Sequence, residues 1–407
     1  MPVEPPPLTV RSLAEADVEE FVRVIEGAFL DDPRPEELAL YRDLVEPERF
    51  HALFDGDTLV GGGGVLTRDM TLPGAGPTPV AAVTAVGIAP DQRRRGGLRM
   101  LMRTQLHGLH EAGGEPVAVL WASEGGIYGR FGYAVAAHRA RLAVSRSAAY
   151  RAGVPTGRVQ LLDAEAAAPV LRQIHARVAP WRVGWISRPE IGWRTWLHDP
   201  EHHRRGASAY RFAVTDDGYV VFRAKAGADD RGPRFEIRVH ELVPATPHAH
   251  ATLWRFLLDL DFGAEVVHRN VAVDDPLPLL LANPRAALVT VSDCLWVRLV
   301  DVDRALVARR YAAPCDLVLE VTDALCPWNA GRWRLEVGAD GTARVRRTDA
   351  QADLRCDTTA LAATYLGDTR WTALAAAGRV TELRPGAVLA ASHSFAADAA
   401  PHCPELF

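Results

Sequence analysis

Apolar and polar positions alternate through LTVRSL and then fall at helical spacing through EEFVRVIEGAF, which predicts a strand followed by a helix, with LYRDLV as a second helix. FHALFDGDTLVGGGGVLTRDMTLPG reads as strand, turn, strand, because Asp55-Gly56-Asp57 is turn chemistry between two apolar runs. VAAVTAVGIAP is almost wholly apolar and is stopped by Pro90, the pattern of a buried central strand. Beyond it Leu98, Leu101, Met102, Leu106 and Leu109 fall at helical spacings, and Gly113-Gly114 closes the element. PVAVLWAS repeats the buried-strand pattern, and SEGGIYGRFGYAVAAHRARLAV is a glycine-rich loop that ends in an alternating strand. The order predicts an α/β domain over residues 1–150, in which a loop at a strand's carboxyl end leads into a helix.

A polar joint at SRSAAYRAGVPTGR opens a second α/β stretch, residues 151–294. It holds the tryptophan-rich WRVGWISRPEIGWRTW, strands near YRFAVTDDGYVVFRAKAG and RFEIRVHELVPA, a helix at HATLWRFLLDLDFG and a strand near EVVHRNVAV. This loosely repeats the first domain's order and suggests an internal duplication. Where the first copy has QRRRGG, the second has TPHAHA. A third region, residues 295–407, opens with LWVRLVDVDRALVARRY. Alternating strands at DLVLEVTD, RWRLEVG and ARVRRTD, a GADG turn and helices at TALAATYLG and TALAAAGRV then predict an α+β domain.

Composition narrows the function classes. A chain of 407 residues exceeds one core, consistent with three domains. The formal net charge of -5 argues against nucleic acid as a general partner, although a local basic cluster could still take a small anion. MPVEPPPLTV lacks the basic lead and apolar core of a secretory leader, no apolar run reaches bilayer length, and five cysteines without CxxC spacing read as reduced thiols, so we expect a cytoplasmic protein without a membrane partner. Lys225 is the only lysine, so arginine abundance by itself carries little meaning.

The position of QRRRGGLR carries more. Cationic side chains at a helix N-terminus oppose the helix dipole, so three arginines there call for an anion, which glycine N–H groups and arginine forks would hold. VGIAPDQRRRGGLRMLM resembles the strand, Q/R-x-x-G-x-G/A, helix signature of the acyl-CoA N-acetyltransferase (GNAT) superfamily, and IYGRFGY matches its second signature, Y-x-x-x-G-F/Y. Over the whole chain the sequence resembles the Eis family of aminoglycoside N-acetyltransferases, most specifically at SEGGIYGRFGY. The resemblance implies tandem GNAT-like domains, the second without a cofactor site, followed by a C-terminal domain like sterol carrier proteins. It also implies a homohexamer, a trimer of dimers.

The resemblance assigns acetyl-CoA as cosubstrate, with Val86, Gly87 and Ile88 along the pantetheine arm and Arg94, Arg95, Gly96, Gly97, Leu98 and Arg99 around the pyrophosphate. Ser123 and Glu124 are further candidate contacts, and Arg93 is expected to face water. Tyr128 is implied as the general acid for the leaving thiolate, and the terminal carboxylate of Phe407 as the base for the amine. Glu26, Asp31, Asp32 and Glu405, with Phe29 as an aromatic wall, are candidates for holding a polycationic substrate. No metal is expected, because His202-His203 and His248-Ala-His250 lack sequence companions for ligation. Trp181, Trp185, Trp193 and Trp196 read as core or subunit packing. Alternatives to aminoglycoside acetylation are a lysine or peptide Nε-acetyltransferase, and a lipid or sterol carrier on an inert acetyltransferase scaffold.

Overall fold

The computed structural model describes residues 7–230 and 232–407, so the leader reading made on MPVEPPPLTV falls largely outside the described residues. Strands β1 (Leu8–Ser12), β2 (Phe50–Asp55), β3 (Thr58–Leu72) and β4 (Gly76–Ile88) run antiparallel, and β5 (Val117–Leu120) joins β4 in parallel. Helices α1 (Val18–Ala28) and α2 (Pro35–Leu44) connect β1 to β2, and α3 (Gly97–Ala112) is the crossover from β4 to β5. Phe21, Val22 and Ile25 bury one face of α1, whereas the Leu101, Met102, Leu106 and Leu109 stripe of α3 seals the other side of the sheet. Burying each such side chain contributes about 1.5–3 kcal/mol.

The two larger sheets exchange strands across the expected boundaries at 150/151 and 294/295. The alternating strand His138–Ser145 lies in the second sheet, between Ala287–Asp293 and Gly263–Ala272. Trp296–Leu299 returns to the first sheet, where it pairs with β5 and with β6 (Ala134–Val135). Alternation identifies a strand but not its partner, because partner choice is made by tertiary packing.

The rest of the second sheet runs Phe235–Pro244, Gly218–Lys225, Arg211–Thr215 and Gln160–Leu162. A third sheet of five strands, with Thr358–Thr364, Trp371–Ala376 and Ala387–Ser394 as helices, makes the C-terminal domain. The expected tandem α/β domains and α+β terminus are therefore present. One continuous core joins Val119 and Val297 of the first sheet to Leu319, Leu361 and Trp371 of the last, so the first and third domains are packed together. Among the described residues no helix is long and apolar enough to cross a membrane.

Candidate active site

Strands β4 and β5 pair only at Ala81–Ala118 and Ala82–Val119, then separate toward their carboxyl ends. On its other edge β4 carries a bulge: Thr84 pairs with Gly64 and Gly87 with Gly62, so Ala85 and Val86 face the single Gly63, with Ala85 at φ 53°. A bulge takes backbone groups out of the ladder. Gly87 and Ile88 keep their β3 partners, and with no β5 partner on the other edge the Val86–Ile88 backbone lines a cleft of about 1190 Å³ shared with the loop before α3.

That loop uses left-handed backbone at Arg94, φ 65°, and at Gly96, φ 86°. Such a conformation in a non-glycine residue costs about 1–3 kcal/mol and persists where surrounding structure enforces it. Gly96 is the N-cap of the 16-residue α3, and no side chain caps the helix, so its first N–H groups remain available to an anion. Gly97, the first residue of α3, permits close packing. A Cβ there would stand 2.6 Å from a methyl of Leu53 on β2.

Of the expected contacts, Val86, Gly87, Ile88, Arg94, Gly96, Gly97, Leu98, Arg99, Ser123, Glu124 and Tyr128 all line the cleft, and so does Phe29. Two arginines trade the places expected of them. Arg95 turns to β2 and is paired with Asp55 at 2.7 Å. Arg93 lines the cleft, its guanidinium donating to the carbonyls of Ala28 at 2.9 Å and Ile88 at 3.3 Å. Consecutive residues cannot all face one way in a turn, and Asp55, which the sequence marks only as a turn residue, claims Arg95. Arg130 joins Arg93, Arg94 and Arg99 on the cleft wall. It lies between the tyrosine and glycine of the second signature, and its charge is the only sequence signal it gives.

Tyr128 opens the short 3-10 turn Tyr128–Phe131 at the cleft. The turn ends at Gly132, φ 87°, where a Cβ would strike the Arg298 guanidinium at 2.6 Å. Arg298 is fully buried and paired with Asp323 of the C-terminal domain at 2.5 Å, so the tyrosine's turn rests on an interdomain ion pair. Burial, followed by the nearby Glu124 carboxylate, raises the Tyr128 pKa. A phenol is protonated at neutral pH in any case, and the upward shift makes it a weaker acid, so proton donation from Tyr128 depends on its position at the cleft.

Unlike Tyr128, Phe407 is not on the cleft wall, and the chain's last residues are held beyond β5. The indole N–H of Trp121, one residue beyond β5, donates to the carbonyl of Glu405 at 2.7 Å. Phe407 packs, partly buried, against the core shared by the first and third domains.

Glu405 is not on the cleft wall. Its carboxylate takes a charge-assisted hydrogen bond of 2.5 Å from Nε of Arg188, which also bridges Glu241 at 2.7 Å, and all three are buried. Burial raises the Glu405 pKa, while Arg188, shared with it, holds Glu241 down at about 2. The expected substrate-binding role of Glu405 is therefore replaced by an anchoring one. Trp193 and Trp196 stack on Arg188 at 4.5 Å each, Trp185 is buried, and Trp181 is exposed.

The remaining acids sit beside Phe29. Burial, then Asp31 and Glu37, raises the pKa of Glu26, and burial with the same three carboxylates pushes Tyr41 up to about 12. Glu37, absent from the sequence expectation, thus joins Glu26 and Asp31 in one acidic patch. Asp32 is exposed beside Asp31.

Comparison with known proteins bears directly on this arrangement. Residues 9–136 and 184–299 each match an acetyltransferase (GNAT) domain, and residues 302–404 match a sterol carrier protein domain. An uncharacterized N-acetyltransferase of Streptomyces avermitilis is 40% identical, with 91% of this chain and 92% of that protein covered. N-acetyltransferase Eis of Mycobacterium bovis is 35% identical over 92% of this chain and 93% of its own. The chain is an Eis-like N-acetyltransferase. The crystal structure of Eis1 from Mycobacterium abscessus superposes with a TM-score of 0.86 at 35% identity, covering 98% of this chain and all of that one.

Within this acetyltransferase the second GNAT unit closes the place where the first has its cleft. Phe235–Pro244 and Gly263–Ala272 pair in parallel only as far as Val239 and His268. Beyond that point Asn270 donates its amide to the carbonyls of Cys403 at 3.1 Å and Pro404 at 3.3 Å, and Glu241 reaches Glu405 through Arg188. The following helix, Pro247–Leu258, is capped by the Thr246 hydroxyl, which accepts from the N–H of Ala249 at 3.1 Å.

Proposed function

We propose that this N-acetyltransferase moves the acetyl group of acetyl-CoA onto amines of aminoglycosides or related polyamines, at more than one position of a substrate. The observation that carries the reading is the single cleft that joins the Arg93–Arg99 loop, the β4 bulge and Tyr128. Arg94, Arg99 and the α3 N-terminus suit a pyrophosphate, and the Val86–Ile88 backbone, unpaired on its β5 side, suits the amides of a pantetheine arm. Tyr128 donates its proton to the sulfur leaving the thioester. The carboxylate of Phe407 accepts the proton lost by the attacking amine. That carboxylate is a weak base in water, so its role depends on its placement beside the amine.

Glu26 and Asp31, beside Phe29 on the cleft wall, favour a substrate carrying several cationic amines. In the C-terminal domain the fully buried Arg309 donates to the carbonyl of Phe395 at 3.0 Å and to that of Tyr365. Side chains thus occupy the centre of that domain, which favours a positioning role for it over lipid carriage. A homohexamer fits the edge strand Ala287–Asp293, whose exposed Leu288, Val289 and Val291 are suited to subunit packing.

The test is a panel of aminoglycosides and lysine peptides with acetyl-CoA, read by thiol release and by the mass of each product. Addition of two or more acetyl groups to an aminoglycoside is expected. Turnover restricted to peptides would replace this reading with a lysine Nε-acetyltransferase. No thiol release with any amine would overturn the assigned class of acceptor.

A further inference from the structure

Three ligand-type side chains outside the cleft converge from two domains. Glu37 stands in the first turn of α2, and His202 and His203 are adjacent in the short turn Glu201–Arg204 of the central domain. Oε1 of Glu37 lies 2.7 Å from Nε2 of His202 and 2.8 Å from Nε2 of His203, and the two rings are 4.4 Å apart. In a 3-10 turn successive side chains diverge by about 120°. Here both imidazoles nevertheless come to one oxygen. The other carboxylate oxygen accepts from the N–H of Arg34 at 2.9 Å, which fixes the group's orientation from its own helix. The expectation that these histidines lack a carboxylate companion is thereby corrected, because α2 supplies one from 165 residues away.

A buried carboxylate is ordinarily matched by a permanent cation. Glu37 is 5% exposed, yet its side chain faces two imidazoles, while Arg204 next door is spent on Asp199 at 3.2 Å. A third imidazole stands at the edge of the cluster. The His198 ring is 6.3 Å from that of His203, and its Nε2 is buried without a hydrogen-bond partner.

We infer that Glu37, His202 and His203 form a binding site for a divalent cation of the zinc class. Two imidazoles and a carboxylate are ligands this ion prefers; at tetrahedral bond lengths of about 2.0–2.2 Å its ligand atoms stand about 3.3 Å apart, so the Glu37 oxygen and each imidazole must separate by roughly half an ångström to admit it. Three protein ligands leave the fourth position of such an ion to a water. The consequence is mechanical. The cation ties α2 of the first domain to a turn of the central one, and α2 follows directly on the loop whose Phe29 and Leu30 line the cleft.

The test uses the full chain, freed of metal by chelation, with Co²⁺ and Zn²⁺ as probes. One Co²⁺ per chain with the visible absorption of a nitrogen and oxygen site is expected, displaced by Zn²⁺, together with a rise in melting temperature. The double variant His202→Ala/His203→Ala should lose the absorption and weaken Zn²⁺ binding at least about 100-fold. His248→Ala is the control and should change neither, and circular dichroism in chelator verifies that each variant is folded. Absence of the absorption in the native chain, or its persistence in the folded double variant, overturns the site.

Discussion

The first and central domains share a strand, helix, strand unit and treat its open end in opposite ways. In the first, β4 and β5 separate after Ala82 and Val119, the helix that follows β4 is uncapped, and the gap is a cleft. In the central domain the corresponding strands separate after Val239 and His268, the helix between them caps itself with Thr246, and the gap holds residues 402–405 of the same chain. The duplication thus supplied two equivalent openings. One was kept for a ligand and the other became the seat of the tail that ends at Phe407. Loss of a binding site in a duplicated domain is here also the gain of an anchor.

The comparison can be broken at its strongest point by lengthening the tail. A few residues added after Phe407 leave the seat at Asn270 and Arg188 intact but remove the carboxylate from its place. Turnover should fall by about 10²–10⁴-fold, the range of general-base catalysis, with thermal stabilisation by acetyl-CoA retained. Unchanged turnover in the extended chain would remove the base assignment.

The next largest effect is on the seat itself. Arg188→Met strands two buried carboxylates, Glu241 and Glu405, and should cost about 3–5 kcal/mol of stability in denaturant unfolding. A loss below about 1 kcal/mol would mean that the tail is held by its backbone contacts alone.

Tyr128→Phe tests the open copy. It should lower kcat by about 10²-fold while leaving KM for acetyl-CoA nearly unchanged, because the hydroxyl acts on the leaving sulfur and not on binding. An unaltered kcat would make Tyr128 a wall of the cleft only.

The smallest expected effect separates neighbouring arginines. Arg94→Ala should weaken coenzyme A binding by about 1.5–3 kcal/mol in calorimetry, the worth of a charged hydrogen bond. Arg95→Ala should leave that affinity within about threefold, because Arg95 is committed to Asp55 and does not line the cleft. The same titration counts sites: one coenzyme per chain is expected, and two would show that the central opening is not sealed.

Much of the open copy is legible in the sequence because its signals are local. The proline stop after β4, the glycines before α3 and the apolar stripe behind them are consecutive in the chain, and each dictates backbone shape within a few residues. Arg95 was misplaced because its partner lies on another strand, 40 residues earlier. Glu405 looked like a free acid because nothing near it in sequence announces Arg188, 217 residues away. Glu37 carried no signal at all until α2 met the histidine turn.

By itself the sequence determined the order of strands and helices, the repeated unit, and which copy carries the arginine-glycine loop before an uncapped helix, since these follow from periodicity, capping and glycine over short stretches. Only the tertiary structure decided that His138–Ser145 and Trp296–Leu299 change sheets, that the tail fills the second opening, and that three charged clusters bridge domains. Those choices depend on burial, which gives a charge a partner wherever the fold leaves it without water, at any distance along the chain.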